Sequence, residues 1–527
     1  MKVVFRVDSS EQIGSGHLIR CRTLAEALRR RGAEVRFVCR QHRGNLIRLL
    51  NEAAFPVQVL PPPPERLGEA GEDYGAWLGV SCEVDARETE LALGGEHPDW
   101  LVVDHYGLDA VWERRLRPQV GRILVIDDLA NRGHDCDVLL DQNSSQDGKG
   151  RYRGLVPEAC RLLMGPRYAL LRPEYGAYRQ TQEPRTGEVR RVFVFFGGSD
   201  SQNMTSRVLT ALTAREFEGL AVDVVVGANH PCRDELQRQA RERPNTVLHG
   251  PRPHLADLMA RADLGIGAGG TTTWERCCLG LPTLVVSIAD NQVAACEALA
   301  AEGAIAYLGP AATVDVMGLR GAIASQLGKA SALQAMSVAA QGQVDGLGTA
   351  RLGELLKPTP KEDLRLRPAE ARDVRLYYDW VNEPAVRRNS FDGEPVSWDT
   401  HQAWFEDKLA DSNCYLGVLE ANDLPVGQIR FDIRDDEAVI DYSLDALVRG
   451  RGWATCLVRL GLDLLRNSQP SYLRAEVKQE NAASRAVFLR LGFREESSPP
   501  LQPQGVEKIS VFRLPFSQTV TVGSMSI

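Results

Sequence analysis

His17 sits in the stretch EQIGSGHLIRC, residues 11 to 21, behind Gly14 and Gly16 and ahead of a helical run. An imidazole is the side chain best placed to move a proton near neutral pH. The two glycines let this turn approach a ligand closely. The start of the helix that follows favours developing negative charge and disfavours a protonated ring, which keeps His17 in the neutral form a general base needs. The stretch is not a complete dinucleotide fingerprint, because Ile19 stands where a small residue is required, and no Gly-Lys-Ser/Thr occurs. Taken alone, the corner slightly favours a histidine that only caps the helix or packs at a sheet edge.

Two more glycine turns change the weighing. FFGGSD, residues 195 to 200, places Gly197, Gly198 and Ser199 at a strand end, with a helix expected from about Asn203. Backbone amides and a hydroxyl at such a turn can cradle a diphosphate. GAGGTTTWE, residues 267 to 275, repeats the pattern with Gly269, Gly270 and Thr271. Glu275 falls one turn into the next helix, where a carboxylate can accept from both ribose hydroxyls. Its plainer role would be to complement the helix dipole. Together these features predict a nucleotide site.

The elements that must hold these turns follow from apolar periodicity. KVVFRV, a helix from about His17 to Arg31, then EVRFVCR, WLVVDHY and GRILVIDD alternate as βαβ units do. The series restarts at RVFVFFGGSD and continues through AVDVVVG, ADLGIGAGG and LPTLVVSI. This predicts two doubly wound Rossmann-like halves, residues 1 to 178 and 188 to 356, with ligands at the carboxyl ends of their strands. The stretch KPTPKEDLRLRPAE, residues 357 to 370, marks a second boundary. Beyond it consecutive strands predict a separate α+β domain over 364 to 516.

Composition narrows the class. The 527 residues carry a net charge of -8, which gives no support for nucleic acid or an anionic membrane as partner. Eleven cysteines without a C-x-x-C argue against a disulfide framework or zinc site and for a reducing compartment, so a cytoplasmic location is expected. Asp127 and Asp128 in IDDLA are read as strand-end or capping residues, and no metal is expected.

The first 350 or so residues resemble the nucleotide-sugar enzymes of the GT-B fold, and more closely the UDP-sugar hydrolases of pseudaminic acid biosynthesis. The stretches RVDSSEQIGSGHLIRC, VDHYGLD, FFGGSD, GAGGTTTWE and ADNQ carry the resemblance. It implies that His17 is the catalytic base, that Tyr106 and Asn291 lie on the sugar side, and that the neighbouring Gln292 belongs to the substrate- or UDP-binding set. It also implies that Asp8 orients the histidine loop. The implied reaction cuts UDP from UDP-2,4-diacetamido-2,4,6-trideoxy-β-L-altropyranose.

VRGRGWATCLVRLGLDLL supplies Arg449, Gly450, Arg451, Gly452, Trp453 and Ala454 in the pattern R/Q-x-x-G-x-G/A at a strand-to-helix junction, where amides would hold a pyrophosphate. NAASRAVFLRLGF adds Asn481, Ser484, Phe488, Gly492 and Phe493. The ordered pair resembles the GNAT acetyltransferase superfamily and implies acetyl-CoA as cosubstrate. Many relatives place a tyrosine at position 488 as the acid for the leaving thiolate; phenylalanine cannot serve. Asp441 or Glu437 could relay the proton of the amine. YYDWVNEPAVRRNSF resembles the acetyltransferase of the same pathway, so a UDP-linked amino-deoxy sugar is the implied acceptor. Trp380 within it would stack on the substrate or pack in the core. The expected protein is a bifunctional hydrolase and acetyltransferase. The alternatives are a GT-B glycosyltransferase fused to a protein or amino-sugar acetyltransferase, and a non-catalytic nucleotide-sugar-binding regulator.

Overall fold

Strands covered on both faces read as nearly continuous apolar runs, and such strands pair in parallel. The computed structural model describes residues 1–64, 74–144, 148–182, 185–198, 200–227, 230–465, 468–496 and 509–518. Within it the chain divides into two compact units, Met1–Lys357 and Pro358–Ile527.

The first unit holds two parallel sheets. One comprises β1 (Lys2–Val7), β2 (Glu34–Arg40), β3 (Val57–Leu60), β4 (Trp100–Asp104), β5 (Arg122–Ile126), β6 (Val138–Asp141) and β7 (Arg161–Met164), ordered β3-β2-β1-β4-β5-β6-β7. The other comprises β8 (Arg191–Phe195), β9 (Ala221–Val225), β10 (Thr246–His249), β11 (Leu264–Ala268), β12 (Thr283–Ser287) and β13 (Ala306–Pro310), ordered β10-β9-β8-β11-β12-β13. In each sheet the winding reverses between two central strands, β1 and β4 or β8 and β11. Turns leaving such a pair diverge and open a crevice. The register levels the strand ends: Val7 pairs with Asp104, and Phe195 with Gly267. The histidine turn therefore lies beside Asp104, and the Gly197 turn beside the Gly269 turn. Two doubly wound halves in series give the GT-B-like α/β architecture.

Alternation along β1 splits its side chains between two cores. Val3, Phe5 and Val7 pack with Leu24 and Leu28 of the helix Gly16–Arg30. Val4 packs on the opposite face with Leu101, Val103 and Trp112. Two helices cross between the halves. Tyr175 of Pro173–Thr181 is buried in the core of the second half. Leu352 and Leu356 of Gly348–Leu356 are buried in the core of the first, and Arg31 Nη1 reaches Glu354 Oε2 at 2.8 Å. The packing thus runs across the divisions at 178 and 188, because a helix joins whichever face its apolar stripe fits.

The second unit is a mixed sheet of β14 (Leu364–Pro368), β15 (Cys414–Ala421), β16 (Leu424–Arg434), β17 (Glu437–Leu444), β18 (Tyr472–Lys478), β19 (Arg494–Glu496) and β20 (Ile509–Pro515). The order is β14-β15-β16-β17-β18-β20-β19, antiparallel except for β17 with β18. Among the described residues, no helix is long and apolar enough to cross a membrane.

Candidate functional site

The helix Gly16–Arg30 starts immediately at the turn, so His17 stands in its first turn, 8% exposed. His17 Nδ1 lies 2.6 Å from Asp104 Oδ1. A carboxylate only accepts, so Nδ1 carries a proton, and in the neutral tautomer this contact selects, Nε2 carries the lone pair. Arg20, one helical turn on, holds the same carboxylate from the other side. Its Nε donates to Asp104 Oδ2 at 2.6 Å and its Nη2 to Oδ1 at 2.7 Å. Burial pushes the Asp104 carboxyl up, but Arg20 and His17 outweigh it and hold the group well below the usual carboxylate range.

The Arg20 Nη1 donates to Asp128 Oδ2 at 2.8 Å, and the Tyr106 hydroxyl donates to that same oxygen at 2.8 Å. Asp128 Oδ1 is buried without a hydrogen-bond partner. Burial, and the charge of Asp128 after it, push the Tyr106 phenol up, so it stays protonated. Its ring meets His17 edge-on, with centroids 4.6 Å apart, and packs against Tyr74 and Trp77. From the second half, Asn291 Nδ2 donates to the Tyr106 hydroxyl at 3.2 Å. One connected polar network therefore runs from the histidine turn to the opposite half.

The glycine turns face it. A Cβ on Gly16 would lie 3.7 Å from the Thr271 side chain, and one on Gly198 would lie 3.4 Å from Ser15 Oγ. Gly14, with φ +77°, and Gly197, with φ +94°, occupy the left-handed region that favours glycine. Gly269 is required by packing, since a Cβ there would lie 2.4 Å from Cys296 Sγ. Gln292 Nε2 lies beside Gly270, while its Oε1 accepts from the Ile288 amide. Ser199 lies outside the described residues. A small cleft opens between Gly16, Arg20 and Thr23 on one side and Thr271, Trp274 and Glu275 on the other.

Glu275 lines that cleft with Oε2 buried and unpartnered. Burial pushes its carboxyl up to about 7, against the opposing pull of Tyr175, Arg276 and Arg172. Its ionisation costs the fold nothing below about 4.5, where the carboxyl is protonated in both states. The cost builds as pH rises towards about 7 and is full above it, on the order of 3 kcal/mol. Glu275→Gln is therefore expected to raise the thermal midpoint at pH 8 and to change it little at pH 4.5. Equal shifts at both pH values would mean that the carboxyl is not buried as described.

Several expectations meet different surroundings. Asp8 does not touch His17. Its Oδ1 accepts from Arg6 Nη1 and the Arg40 amide, both at 2.6 Å, and its Oδ2 faces His105 Nε2 at 3.6 Å. Its reach stops at the residue beside Tyr106. The first amides of the helix Met204–Ala211 are already used, because Asp200 accepts from the Met204 and Thr205 amides, both at 2.9 Å. A ligand at that corner has only the glycine turn itself. Asp127 is the turn residue expected, accepting from the Ala130 amide at 2.9 Å and pairing with Arg132. Asp128 instead belongs to the histidine network. Among the described residues no cluster of His, Cys, Asp or Glu is arranged to hold a metal.

In the second unit Gly450 and Gly452 take φ of +80° and +73°, and the helix Trp453–Gly461 begins at once. Space lies open where a Cβ on Gly450 would sit, while one on Gly452 would lie 3.1 Å from Lys361 Nζ, so the turn presents bare backbone at Gly450 with an ammonium beside Gly452. Arg449 pairs with Glu383 at 2.5 Å, and the Arg451 guanidinium lies over the Trp453 ring. Trp453 is 2% exposed, which leaves only its backbone for a ligand; Ala454 follows in the first turn. Asn481 Oδ1 caps the next helix by accepting from the Ser484 amide at 3.1 Å. Trp380 is a core residue, its indole donating to Asp445 Oδ2 at 3.0 Å.

Sequence reasoning missed Arg20, Asp104 and Asp128. The spacing of Arg20 from His17, one turn along the same helix, was a usable signal. Asp104 lies inside VDHYGLD, but nothing local says that its partner is 87 residues away.

Residues 363–494 match the family model described as an acetyltransferase (GNAT) domain. The chain is 28% identical over 304 residues to a UDP-2,4-diacetamido-2,4,6-trideoxy-beta-L-altropyranose hydrolase of Campylobacter jejuni, covering 58% of this chain and 97% of that protein. It is 25% identical over 310 residues to a spore coat polysaccharide biosynthesis protein of Bacillus subtilis, covering 59% and 84%. An uncharacterised protein of Methanocaldococcus jannaschii is 20% identical over 508 residues, covering 94% and 97%. The chain thus joins a part homologous to a UDP-sugar hydrolase with a GNAT acetyltransferase domain.

Proposed function

We propose that the first unit hydrolyses UDP-2,4-diacetamido-2,4,6-trideoxy-β-L-altropyranose to UDP and the free sugar. We propose further that the second N-acetylates the UDP-linked 4-amino sugar from which that substrate is made, using acetyl-CoA. The observation that carries the hydrolase reading is the His17–Asp104–Arg20 arrangement, whose Arg20 lines a cleft together with Gly16 of the histidine turn and with Thr271 and Glu275 of the second half.

Asp104 stays ionised and accepts the hydrogen bond from His17 Nδ1–H, while His17 Nε2 takes a proton from water as that water attacks the anomeric carbon. The bond from that carbon to the UDP oxygen breaks, and the electron pair leaves with the diphosphate. UDP is a good leaving group, so a strong general acid is dispensable. Backbone amides of the glycine turns offset the departing charge. Tyr106 and Asn291 are assigned to the sugar, and Glu275 to the ribose. Ribose hydroxyls donating to Glu275 favour its ionised form, so UDP is expected to bind more tightly at pH 8 than at pH 6, and Glu275→Gln to abolish that difference. In the second unit the bare turn at Gly450–Gly452 fits the diphosphate of acetyl-CoA, which supplies the acetyl thioester.

The test is UDP release from the proposed substrate by wild type and His17→Ala. A loss of about 10²-fold or more supports a general base. No release by wild type that still binds UDP would overturn the hydrolase reading. Release only with an added sugar or alcohol acceptor would make the unit a transferase.

A further inference from the structure

In the second unit β17 and β18 pair only over Glu437–Val439 and Tyr472–Arg474, although β17 runs on to Leu444 and β18 to Lys478. β17 keeps its other neighbour, β16, along its whole length. Past Val439, then, its edge towards β18 is left open within the sheet. Tyr442 lies on that stretch. Its hydroxyl donates to Ser484 Oγ at 3.2 Å, in the first turn of the helix Ala482–Arg490. Its ring meets Phe488 edge-on, with centroids 5.8 Å apart. The pair spans the opening, one hydroxyl on β17 and the other on the helix that follows β18. Phe488 itself is buried and has no proton to give.

We propose that Tyr442, held by Ser484, is the acid that protonates the coenzyme A thiolate during acetyl transfer. The inference rests on reading this unit as an acetyl-CoA-dependent acetyltransferase. The Gly450–Gly452 turn that would hold the diphosphate follows directly on β17. The amides of the pantetheine arm can bond the unpaired edge of β17 past Val439, as an added strand would. An arm running back along that edge brings its thioester to Tyr442 and Ser484. The amine nitrogen attacks the thioester carbonyl and forms the C–N bond. The C–S bond then breaks and its electron pair stays on sulfur. Tyr442 gives its hydroxyl proton to that sulfur, yielding the thiol; the nitrogen loses its extra proton to water, and the phenolate recovers one from solvent. Burial pushes the phenol up, which keeps it protonated until then. Asp441 and Glu437 are engaged otherwise: Asp441 sits near Arg430 on the opposite face of the strand, and Glu437 is clamped by Arg513 and Arg474.

The test is the ionisation of bound coenzyme A in the full chain, followed by the ultraviolet absorbance of its thiolate across pH, for wild type, Tyr442→Phe and Ser484→Ala. Tyr442→Phe keeps the ring against Phe488, so folding is preserved. It is expected to raise the thiol pKa by about one unit, since a donor to the thiolate is lost. Ser484→Ala is expected to raise it less. Where an accepted amine is supplied, the rate of thiol release should fall by about 10²-fold with KM for acetyl-CoA unchanged. Identical titrations in wild type and Tyr442→Phe would overturn the role of Tyr442 while leaving the acetyltransferase reading intact. Failure of wild type to bind coenzyme A would overturn both.

Discussion

Asp104→Asn is expected to slow UDP release by about 10²- to 10⁴-fold while leaving UDP affinity nearly unchanged. The carboxylate accepts from His17 Nδ1 and from two nitrogens of Arg20. An asparagine keeps the shape but presents one oxygen and one N–H₂ group. Arg20 is fixed by Asp128 at 2.8 Å and demands the oxygen. The amide N–H₂ then faces His17 and favours the tautomer with the proton on Nε2, which can no longer accept a proton from water. The charge that stabilises an imidazolium is lost as well. Single-turnover UDP release and a calorimetric UDP titration separate the two effects. A rate within about tenfold of wild type would mean that the histidine does not act as the base.

Asp85→Ala is expected to destabilise the first unit by about 3–5 kcal/mol, the scale of breaking a buried ion network from one side. Asp85 is fully buried and accepts from Arg6 Nε at 3.1 Å, Arg6 Nη2 at 2.5 Å, Arg40 Nη2 at 2.7 Å and the Trp112 indole at 3.1 Å. Removing it takes from two fully buried guanidiniums the carboxylate they share, leaving Arg6 with Asp8 and Arg40 with Glu88 and the Pro61 carbonyl. At roughly 2–4 °C per kcal/mol for units of this size, the thermal midpoint should fall by on the order of 10 °C. The control is Glu90→Ala. That glutamate pairs with Arg115 at 3.0 Å, but the two side chains are 23% and 36% exposed. Such a pair contributes about 0–1 kcal/mol. Equal midpoints for the two variants would show that the buried network adds nothing to stability.

What could be read from residues in order was local. Apolar runs gave parallel strands, because a strand covered on both faces must be apolar throughout. Glycine pairs at strand ends marked turns, and the position of His17 one residue into a helix placed it at the positive end of the peptide dipoles. The change from alternating strands and helices to consecutive strands after residue 357 showed a different kind of unit. Side chains whose partners lie far along the chain were not readable. His17 meets Asp104 because β1 pairs with β4, and strand order is set by burial of whole faces. Tyr106 and Asn291 meet across 185 residues because two separately wound sheets turn their carboxyl ends to one cleft. Trp453 looked available for a ligand in sequence, and Trp380 either for a ligand or, more commonly, for the core; packing buried both, since a large apolar ring gains most in the core. Tyr442 gave no sign at all, being one aromatic residue in a strand. Its hydroxyl became notable only where β17 parts from β18 and Ser484 comes within reach. Spacing along the chain sets which groups share a turn or a helix face. Which of them share a site depends on how sheets close, and that is decided by the packing of every residue in them.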